Sequence, residues 1–403
     1  MKTLLIIGFV WPESRSSAAG TRMLQLIQLF NNEGFIIHFA SAANKTKYSD
    51  DLSRFHIYEH EILLNSDSFD SFVKNLNPGI VIYDRFMVEE QYSWRVRGQC
   101  PETLHILDTE DLHFLRYARQ KLGEKSVSLT KLTSFPITKR EIASILRSDI
   151  SLIISEYEMK LLTQEFHIRS SQLFYLPFLE EVVPEKDLSP SFEQRQHFVF
   201  IGNFIHEPNW QAARTLKEKI WPELRKKMPQ AEIHIYGAYL SEKVQQLHQP
   251  KERFIIKGRA EEAVQTLSQY KVLVAPLQFG AGIKGKFLDA VKANTPYITT
   301  SIGDEGIGNP ESVSDLASFA TKAKNLYHNE PLWRKHQVRN RQLFSSLFDR
   351  NIYESPFLNT LNKIKDSLAL HRAHHFLGQV LLEEKFQSRK YMSLWIQEKN
   401  KKS

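Results

Sequence analysis

The stretch QFGAGIKGKFLDA, residues 278–290, places three glycines and two lysines between an apolar run and a pattern typical of a helix. The preceding residues, VLVAPL (272–277), are uninterrupted apolar, which predicts a strand buried on both faces. Lys284 and Lys286 would neutralise a diphosphate, while the glycine amides and the positive end of the helix approach the same anion. Asp289, one turn into the helix, can accept hydrogen bonds from vicinal hydroxyls such as those of ribose. A purely structural glycine loop is the alternative.

Three more loops in the second half of the chain end predicted strands with glycines and polar side chains. In FIGNFIHEPN (200–209), backbone amides and two asparagine side chains suit phosphate or hydroxyl groups, although Asn209 would equally cap the next helix. KGR (257–259) ends a strand at a glycine, where a flat base would lie against the main chain. DEGIG (304–308) closes a further strand with two carboxylates and two glycines.

A loop of small residues follows the first predicted strand. WPESRSSAAGTRM (11–23) lacks the GxGxxG pattern of dinucleotide-binding proteins. Ala19 and Gly20 would let the backbone approach a ligand closely, and Arg22 is a candidate for contact with an anion. A merely flexible connection is the alternative.

An acidic loop leaves a later strand of the first half. ILDTEDLHFLRYAR (106–119) supplies Glu110 and Asp111. One of these carboxylates, or His113, would contact a sugar hydroxyl or take a proton from an acceptor. Alternatively, the carboxylates only stabilise the start of a helix through its dipole.

Strand-like and helix-like runs alternate twice along the chain. The first series runs from TLLIIGFV (3–10) to LFYLPF (173–178), and TRMLQLIQLFNNEG (21–34) has the apolar spacing of an amphipathic helix. The second series runs from HFVFIGNF (197–204) to PYITTS (296–301). The predicted fold class is therefore α/β, with two doubly wound domains that face each other across a cleft. Ligands of such sheets bind at the carboxyl ends of the strands.

The predicted division has five parts. Residues 1–180 form the N-terminal domain, 181–196 a linker rich in proline and charge, and 197–340 the C-terminal domain. Residues 341–370 are helices that cross back to the N-terminal domain, and 371–403 are a basic helical tail.

Composition indicates an ordinary globular protein of 403 residues, with 42% hydrophobic and 25% charged residues. Cys100 is the only cysteine, which excludes intramolecular disulfides and cysteine-based zinc sites and fits a reducing compartment. The apolar run of MKTLLIIGFVWPE is short for a signal peptide, so we expect it to be a strand. No apolar stretch reaches the ~18–20 residues of a transmembrane helix, which favours a cytoplasmic protein.

The net charge of +7 is concentrated near the end of the chain, where residues 371–403 contain seven lysines and arginines against three glutamates. This tail would touch an anionic membrane, at the inner face, or an anionic partner. A solvated helix is the alternative. Nucleic-acid binding is disfavoured, because no array of basic and aromatic residues is visible.

The segments GNF, HEPN, IYGA, KGR and, above all, PLQFGAGIKGKFLDAVKANTPYITTSIGDEGI (276–307) resemble the nucleotide-sugar-binding domain of GT-B glycosyltransferases, in the retaining "glycosyl transferases group 1" family. The resemblance covers residues 197–320. It implies two Rossmann-like domains, with a nucleotide diphosphate sugar in the second and an acceptor in the first. It implies no cofactor and no metal ion, since lysines take the place of a metal motif.

Two departures from the family pattern concern donor binding. The family has two acidic residues eight positions apart, and here the second falls on Asp289 while the first falls on Ala281. The family also has an arginine and a lysine after the first strand of this domain, and GNFIHEPN has neither. Lys284 and Lys286 would substitute for them.

These considerations select the site residues. The catalytic candidates are Lys284, Lys286, Asp289, Glu110 and Asp111. The donor-binding candidates are Gly202, Asn203, Asn209, Gly258, Arg259, Gly280, Ala281, Gly282, Ile283, Glu305 and Gly306, and the N-terminal loop contributes Ala19, Gly20 and Arg22.

The predicted function is transfer of a sugar from a nucleotide diphosphate sugar to a glycan, lipid-linked or protein acceptor, with retention of configuration. One alternative is a nucleotide-sugar epimerase or hydrolase of the same fold. Another is a non-catalytic nucleotide-sugar-binding scaffold, which Ala281 suggests.

Overall fold

The computed structural model of the protein describes residues 2–181, 190–308, 312–313 and 315–401. The middle of the predicted linker, residues 182–189, lies outside the described residues, as do the last two residues of the predicted tail. The described residues form two α/β domains.

The first domain is built on seven parallel strands in the order β3-β2-β1-β4-β5-β6-β7. Its central strands consist of apolar residues that are buried on both faces, as a sheet covered by helices on both sides requires. The strands are β1 (Thr3–Gly8), β2 (Ile36–Ser41), β3 (Tyr58–Glu61), β4 (Ile80–Asp84), β5 (Leu104–Asp108), β6 (Ile150–Ile153) and β7 (Leu173–Tyr175).

The second domain has five parallel strands in the order β10-β9-β8-β11-β12. The run VLVAPL begins in β11, whose six residues are all buried. The strands are β8 (Gln196–Ile201), β9 (Ile233–Tyr236), β10 (Phe254–Gly258), β11 (Tyr270–Ala275) and β12 (Tyr297–Thr299).

Helices connect the strands and cover both sheets. They are α1 (Ala18–Asn32), α2 (Ser68–Leu76), α3 (Phe86–Gln99), α4 (His113–Leu122), α5 (Leu129–Ser134), α6 (Pro136–Arg147), α7 (Glu156–Lys160), α8 (Glu207–Thr215), α9 (Trp221–Lys227), α10 (Glu242–Gln245), α11 (Ala263–Leu267), α12 (Gly285–Lys292), α13 (Leu316–His328), α14 (Glu330–Phe348), α15 (Arg350–Asp366), α16 (Leu368–His374) and α17 (Phe376–Lys401). Helix α1 begins earlier than the predicted 21–34, because the Ser17 hydroxyl caps it by accepting the Gly20 amide at 3.0 Å.

Strand β3 was not predicted from the sequence. Its residues, YEHE, contain no aliphatic side chain, and none of them is fully buried. The strand lies at the edge of the sheet and pairs only with β2. Backbone pairing with β2 therefore defines this strand, and its sequence does not show the alternation of apolar residues that would predict one.

The chain passes between the domains twice, and the two passages pair with each other. The Glu180 amide donates to the Phe348 carbonyl at 2.8 Å, and the Arg350 amide donates to the Glu180 carbonyl at 2.9 Å. After the second passage, α15 packs on the first sheet, where the buried ring of Phe357 lies 6.1 Å from that of Phe30. The predicted return of residues 341–370 to the first domain therefore begins at Arg350.

The predicted linker, 181–196, extends too far at its C-terminal end. Arg195 is buried in the second domain and donates to the Thr295 hydroxyl at 2.6 Å and to the Ala293 carbonyl at 3.1 Å. Its guanidinium group also donates to the Tyr270 carbonyl at 3.4 Å, so this side chain joins the start of β11 to the segment that follows α12.

Candidate functional site

A cavity of about 640 Å³ lies between the two domains, at the carboxyl ends of strands from both sheets. Both domains contribute to its walls. The predicted site residues that line it are Lys284, Lys286, Asp289, Glu110, Asp111, Gly202, Asn203, Asn209, Arg259, Gly280, Ala281, Ile283 and Ala19. The Asn203 side chain spans the gap by donating to the Ser16 carbonyl at 3.3 Å.

The two lysines at the start of α12 both line the cavity. The Lys284 ammonium donates to the Gly282 carbonyl at 2.7 Å, and the Lys286 ammonium donates to the Asn209 side-chain oxygen at 2.6 Å. Lys284 is also the N-cap residue of α12, so its charge stands at the positive end of that helix. The loop therefore concentrates positive potential in a small volume.

Burial makes these charges costly in the absence of a ligand. It lowers the pKa of Lys286 to about 7, with Lys284 adding to the decrease and Asp289 opposing it. Burial also lowers the pKa of Lys284, against the opposing effect of Glu305. A bound anion would reverse these shifts, because it would neutralise the charges that the protein leaves poorly compensated.

Asp289 lies one turn into α12, beside the passage between the domains. Burial raises its pKa to about 6, opposed by Lys292 and reinforced by Glu180. Lys292 and Glu180 form an ion pair of 2.5 Å that ties α12 to this passage. Asp289 thus faces the cavity from a well-anchored helix.

Glu110 lies on the opposite wall, just beyond β5, with a backbone φ of +63°. Among the described residues, its buried Oε1 atom has no hydrogen-bond partner. Burial, reinforced by the carboxylates of Asp108 and Asp84, raises the pKa of Glu110 to about 8. A neutral carboxylic acid with an unused oxygen, held in a strained backbone conformation, is typical of a group reserved for a ligand.

The neighbouring Asp111 is in a different electrostatic state. Burial acts to raise its pKa, but Arg116 and His113 outweigh burial, and the pKa is lowered. Arg116 forms an ion pair with its Oδ2 atom, and the His113 Nδ1 atom lies 3.3 Å from Oδ1. Burial lowers the pKa of His113 to about 4, so the ring is neutral at pH 7. Asp111 is therefore ionised, and the side chains of His113 and Arg116 on α4 contact its carboxylate.

Sequence reasoning missed two buried glutamates behind this wall. Glu158 accepts the amides of Leu112 and, from the other domain, Gly282, at 2.9 and 3.0 Å. Glu141 accepts the amides of His113 and Phe114 at 3.1 and 2.8 Å. Burial raises the pKa of Glu158 to about 7 and that of Glu141 to about 8. The sequence around each glutamate does not predict this role, because each binds first-domain amides that are at least 27 positions away along the chain.

Two predictions for the first loop were wrong. Arg22 does not face the cavity: it is buried, binds the Asp108 carboxylate from Nε and Nη2, and donates to the Leu176 carbonyl at 2.7 Å. Gly20 does not line the cavity either. A Cβ atom there would lie 2.4 Å from the Glu13 carbonyl carbon, so the glycine permits close packing within the loop.

Four donor-binding candidates in the second domain do not line the cavity. Glu305 forms a two-pronged ion pair with Arg119 of the first domain, at 2.7 and 2.9 Å, and Gly306 follows it in the same interdomain contact. The Gly282 amide is taken by Glu158. The Gly258 carbonyl accepts the Gly237 amide at 2.8 Å. These residues hold the domains or strands together.

In the part of the chain that the structure describes, no group of three or more histidine, cysteine, aspartate or glutamate side chains is arranged to hold a metal ion. The helices of that part likewise include none with the length and apolarity needed to cross a bilayer.

One known protein family matches the second domain of this chain. Residues 195–329 match the family described as Glycosyl transferases group 1. A comparison of the sequence with curated proteins gave no significant match.

Solved structures with the same architecture extend over nearly the whole chain. A point mutant of S. aureus TarM in complex with fondaparinux, alpha-GlcNAc-glycerol and UDP has a TM-score of 0.69 at 10% identity, covering 90% of this chain and 100% of TarM. A glycosyltransferase from Rickettsia africae has a TM-score of 0.64 at 12% identity, covering 90% and 98%. Anabaena Alr3699/HepE in complex with UDP and glucose has a TM-score of 0.66 at 11% identity, covering 90% and 99%. The predicted fold class, two Rossmann-like domains in a GT-B arrangement, is confirmed.

Proposed function

We infer that this protein, whose residues 195–329 match the glycosyl transferases group 1 family, transfers a sugar from a nucleotide diphosphate sugar to a glycan, lipid-linked or protein acceptor. One observation carries the proposal: Lys284 and Lys286 both line an interdomain cavity at the start of α12. A diphosphate is the ligand that two adjacent cations and a helix N-terminus would bind together.

The two lysines have a catalytic role in this proposal. As the bond between the sugar and the diphosphate breaks, negative charge grows on the leaving diphosphate. Cations fixed beside it stabilise that charge more strongly in the transition state than in the ground state, which lowers the barrier. Since burial lowers the pKa of Lys286 to about 7, part of its charge is unformed in the empty site, and donor binding would draw a proton onto it. We propose that the lysines do this without a metal ion.

Asp289 would accept hydrogen bonds from the ribose hydroxyls of the nucleotide. It stands on the same helix as Lys286, and both line the cavity. A diphosphate held at the first turn of α12 places the adjoining ribose near the second turn. Hydrogen bonds donated by the ribose hydroxyls to this carboxylate would lower the pKa of Asp289.

Glu110 would bind the transferred sugar in place of the acidic residue that the family pattern has at position 281. Ala281 lines the cavity but offers only a methyl group, whereas the Glu110 carboxyl faces the same cavity from the first domain. A protonated carboxyl can donate to one hydroxyl oxygen and accept from another, which suits a sugar. Asp111, ionised and paired, would hold α4 and Arg116 in place beside it.

Retention of configuration, by attack on the face that the diphosphate leaves, is the stereochemical outcome that we propose from the family resemblance. The UDP complexes of TarM and Anabaena HepE make UDP-sugars the first donors to test. We propose a reducing compartment such as the cytoplasm, because the buried Cys100 is a free thiol.

The function is tested by incubating the protein with a panel of labelled nucleotide sugars, with and without glycan and lipid-linked acceptors. Release of nucleotide that requires an acceptor, together with labelled product, is expected. Release without an acceptor would instead identify a hydrolase, and conversion of the free nucleotide sugar an epimerase.

A scaffold that binds nucleotide sugars without turnover is the second candidate, and the methyl group at Ala281 favours it. Calorimetric binding of a nucleotide sugar, combined with no release under any acceptor condition, would establish the scaffold and overturn the transferase. Failure to bind any nucleoside diphosphate would overturn both.

A further inference from the structure

Helix α17 exposes a row of large apolar side chains along one face. Phe376 and Val380 are one turn apart near its start, and Tyr391 and Trp395 are one turn apart near its end. Phe376, Tyr391 and Trp395 are each more than 60% exposed. At 3.6 residues per turn, Leu377, Met392 and Leu394 fall on the same side of the helix, and all three are exposed as well. The exposed apolar residues cluster at the two ends of the helix, and soluble proteins rarely expose such clusters of large apolar side chains without a partner.

The opposite face of α17 is fixed to the first domain. Gly378 packs so closely on α6 that a Cβ atom would lie 2.1 Å from the Leu146 carbonyl oxygen. Further along, the Arg95 guanidinium donates to the Ser393 hydroxyl at 3.2 Å and to the Gln397 side-chain oxygen at 3.3 Å. The exposed apolar side chains are therefore held outward by contacts on the other side of the helix, and they do not belong to a free tail.

A second exposed apolar pair lies on a connection that contacts α17. Leu63 and Leu64 lie in the connection after β3 and are 66% and 57% exposed. The next residue, Asn65, accepts a hydrogen bond from the Ser393 hydroxyl at 2.9 Å, which holds this connection against α17. We call Leu63, Leu64 and the exposed apolar side chains of α17 the α17 surface. Residues of this surface do not line the cavity.

Charge indicates what kind of partner covers the α17 surface. From residue 376 to the end of the chain there are six lysines and arginines against three glutamates. Lys390 is exposed, and the exposed Lys399 holds its ammonium 5.5 Å from the Trp395 ring. A second copy of this chain would place one positively charged surface against another, which is unfavourable, whereas an anionic surface would be attracted.

We propose that the α17 surface binds an anionic lipid bilayer, with α17 lying in the plane of the membrane interface. Tryptophan and tyrosine favour that region, and lysines beside them add attraction to acidic headgroups. This inference does not depend on the proposed transferase activity. It would place the first domain against the membrane.

The test uses the full chain and two kinds of vesicle, phosphatidylcholine alone and an equimolar mixture with phosphatidylglycerol. Co-sedimentation is expected with the mixed vesicles, at least tenfold stronger than with phosphatidylcholine, and weakened by high salt. The double variant Tyr391→Ser with Trp395→Ser should bind the mixed vesicles at least tenfold more weakly. Val338→Ser, which changes an exposed apolar residue of α14, is the matched control and should bind as the parent does.

Folding of each variant is checked by its melting temperature, which exposed substitutions should leave unchanged. The proposal is overturned if the parent binds neither vesicle, or if the double variant binds as tightly as the parent. Sedimentation that shows a dimer dissolved by the double variant, without vesicle binding, would assign the α17 surface to a second copy instead.

Discussion

The two walls of the interdomain cavity differ in chemistry and in construction. The wall from the second domain presents the Lys284 and Lys286 ammonium groups at the start of one helix. The wall from the first domain presents Glu110 and Asp111, supported by buried charges behind them. The cationic wall suits the leaving diphosphate, and the acidic wall suits hydroxyl groups. In the function that we propose, diphosphate binding and recognition of the transferred sugar are therefore divided between the domains.

The two walls also differ in how the chain builds them. The cationic wall comes from 13 consecutive residues, 278–290, and strand, glycine loop and helix each leave a local pattern there. The acidic wall depends on partners far apart in sequence, such as Arg22 and Asp108, which are separated by 86 positions. Substitutions in each wall should therefore fail in different ways, and four experiments test this.

The largest effect is expected from Arg22→Met, which removes one partner of a fully buried ion pair behind the acidic wall. Asp108 would be left charged and unpaired, so the free energy of unfolding should fall by about 3–5 kcal/mol. Urea denaturation measures this change. Arg15→Met, from the same loop, is the control, since the Arg15 side chain is 66% exposed and its loss should cost about 0–1 kcal/mol. Equal effects would contradict the structural role assigned to Arg22.

The second effect concerns the cationic wall. Lys284→Ala combined with Lys286→Ala should weaken binding of UDP, or of the nucleoside diphosphate that the panel identifies, by at least ~1.5–3 kcal/mol, the scale of charge-assisted hydrogen bonds. This corresponds to a dissociation constant raised about 10-fold to 150-fold in calorimetric titration. Lys257→Ala removes an exposed lysine of the same domain that does not line the cavity, and it should leave the affinity unchanged. Unchanged affinity in the double variant would refute the diphosphate site.

The third effect concerns the acidic wall and separates sugar binding from nucleotide binding. Glu110→Ala should lower kcat/KM by a factor that corresponds to about 1–3 kcal/mol of lost transition-state stabilisation, the cost of hydrogen bonds lost to a buried substrate. The affinity for UDP should stay the same.

Glu110→Gln is the informative companion variant, because its amide can still donate and accept. It should retain most of the activity, and both variants keep a Cβ atom at the same positive φ, so backbone strain is matched. Equal loss in both would instead indicate that Glu110 takes a proton.

The fourth effect is a pH dependence that we assign to Lys286 of the cationic wall. With a pKa of about 7 in the empty site, Lys286 is largely neutral above that pH and must take up a proton when the diphosphate binds. Affinity should therefore fall as pH rises from 7 to 9, by at most about tenfold per unit. Lys286→Arg should flatten this decrease, since arginine stays charged throughout. A decrease of the same slope in both proteins would exclude Lys286 as its source.

These contrasts explain how much the sequence alone could predict. Elements with a strong apolar period, such as β1 and β11, were identified from the sequence, and so was the order of the two domains. The polar edge strand β3 was missed because only pairing with β2 defines it.

Within the site, local sequence identified residues by type but not by partner. Glu305 was expected at the donor because it follows a strand, yet Arg119 of the other domain binds its carboxylate. Glu158 was missed for the corresponding reason, since its task is to accept amides from two distant loops. Pairing across domains leaves no trace in the local pattern of either segment.

The paired passages between the domains restrict how the molecule can open. The backbone bonds from Glu180 to Phe348 and from Arg350 to Glu180 bring both connections to one point, beside the Lys292 contact at the edge of the cavity. Swinging one half about that pivot preserves both bonds, whereas twisting would draw the connections past each other and break them. We therefore expect any opening of the cleft to pivot at this point, which a pair of distance labels, one on each domain, would follow.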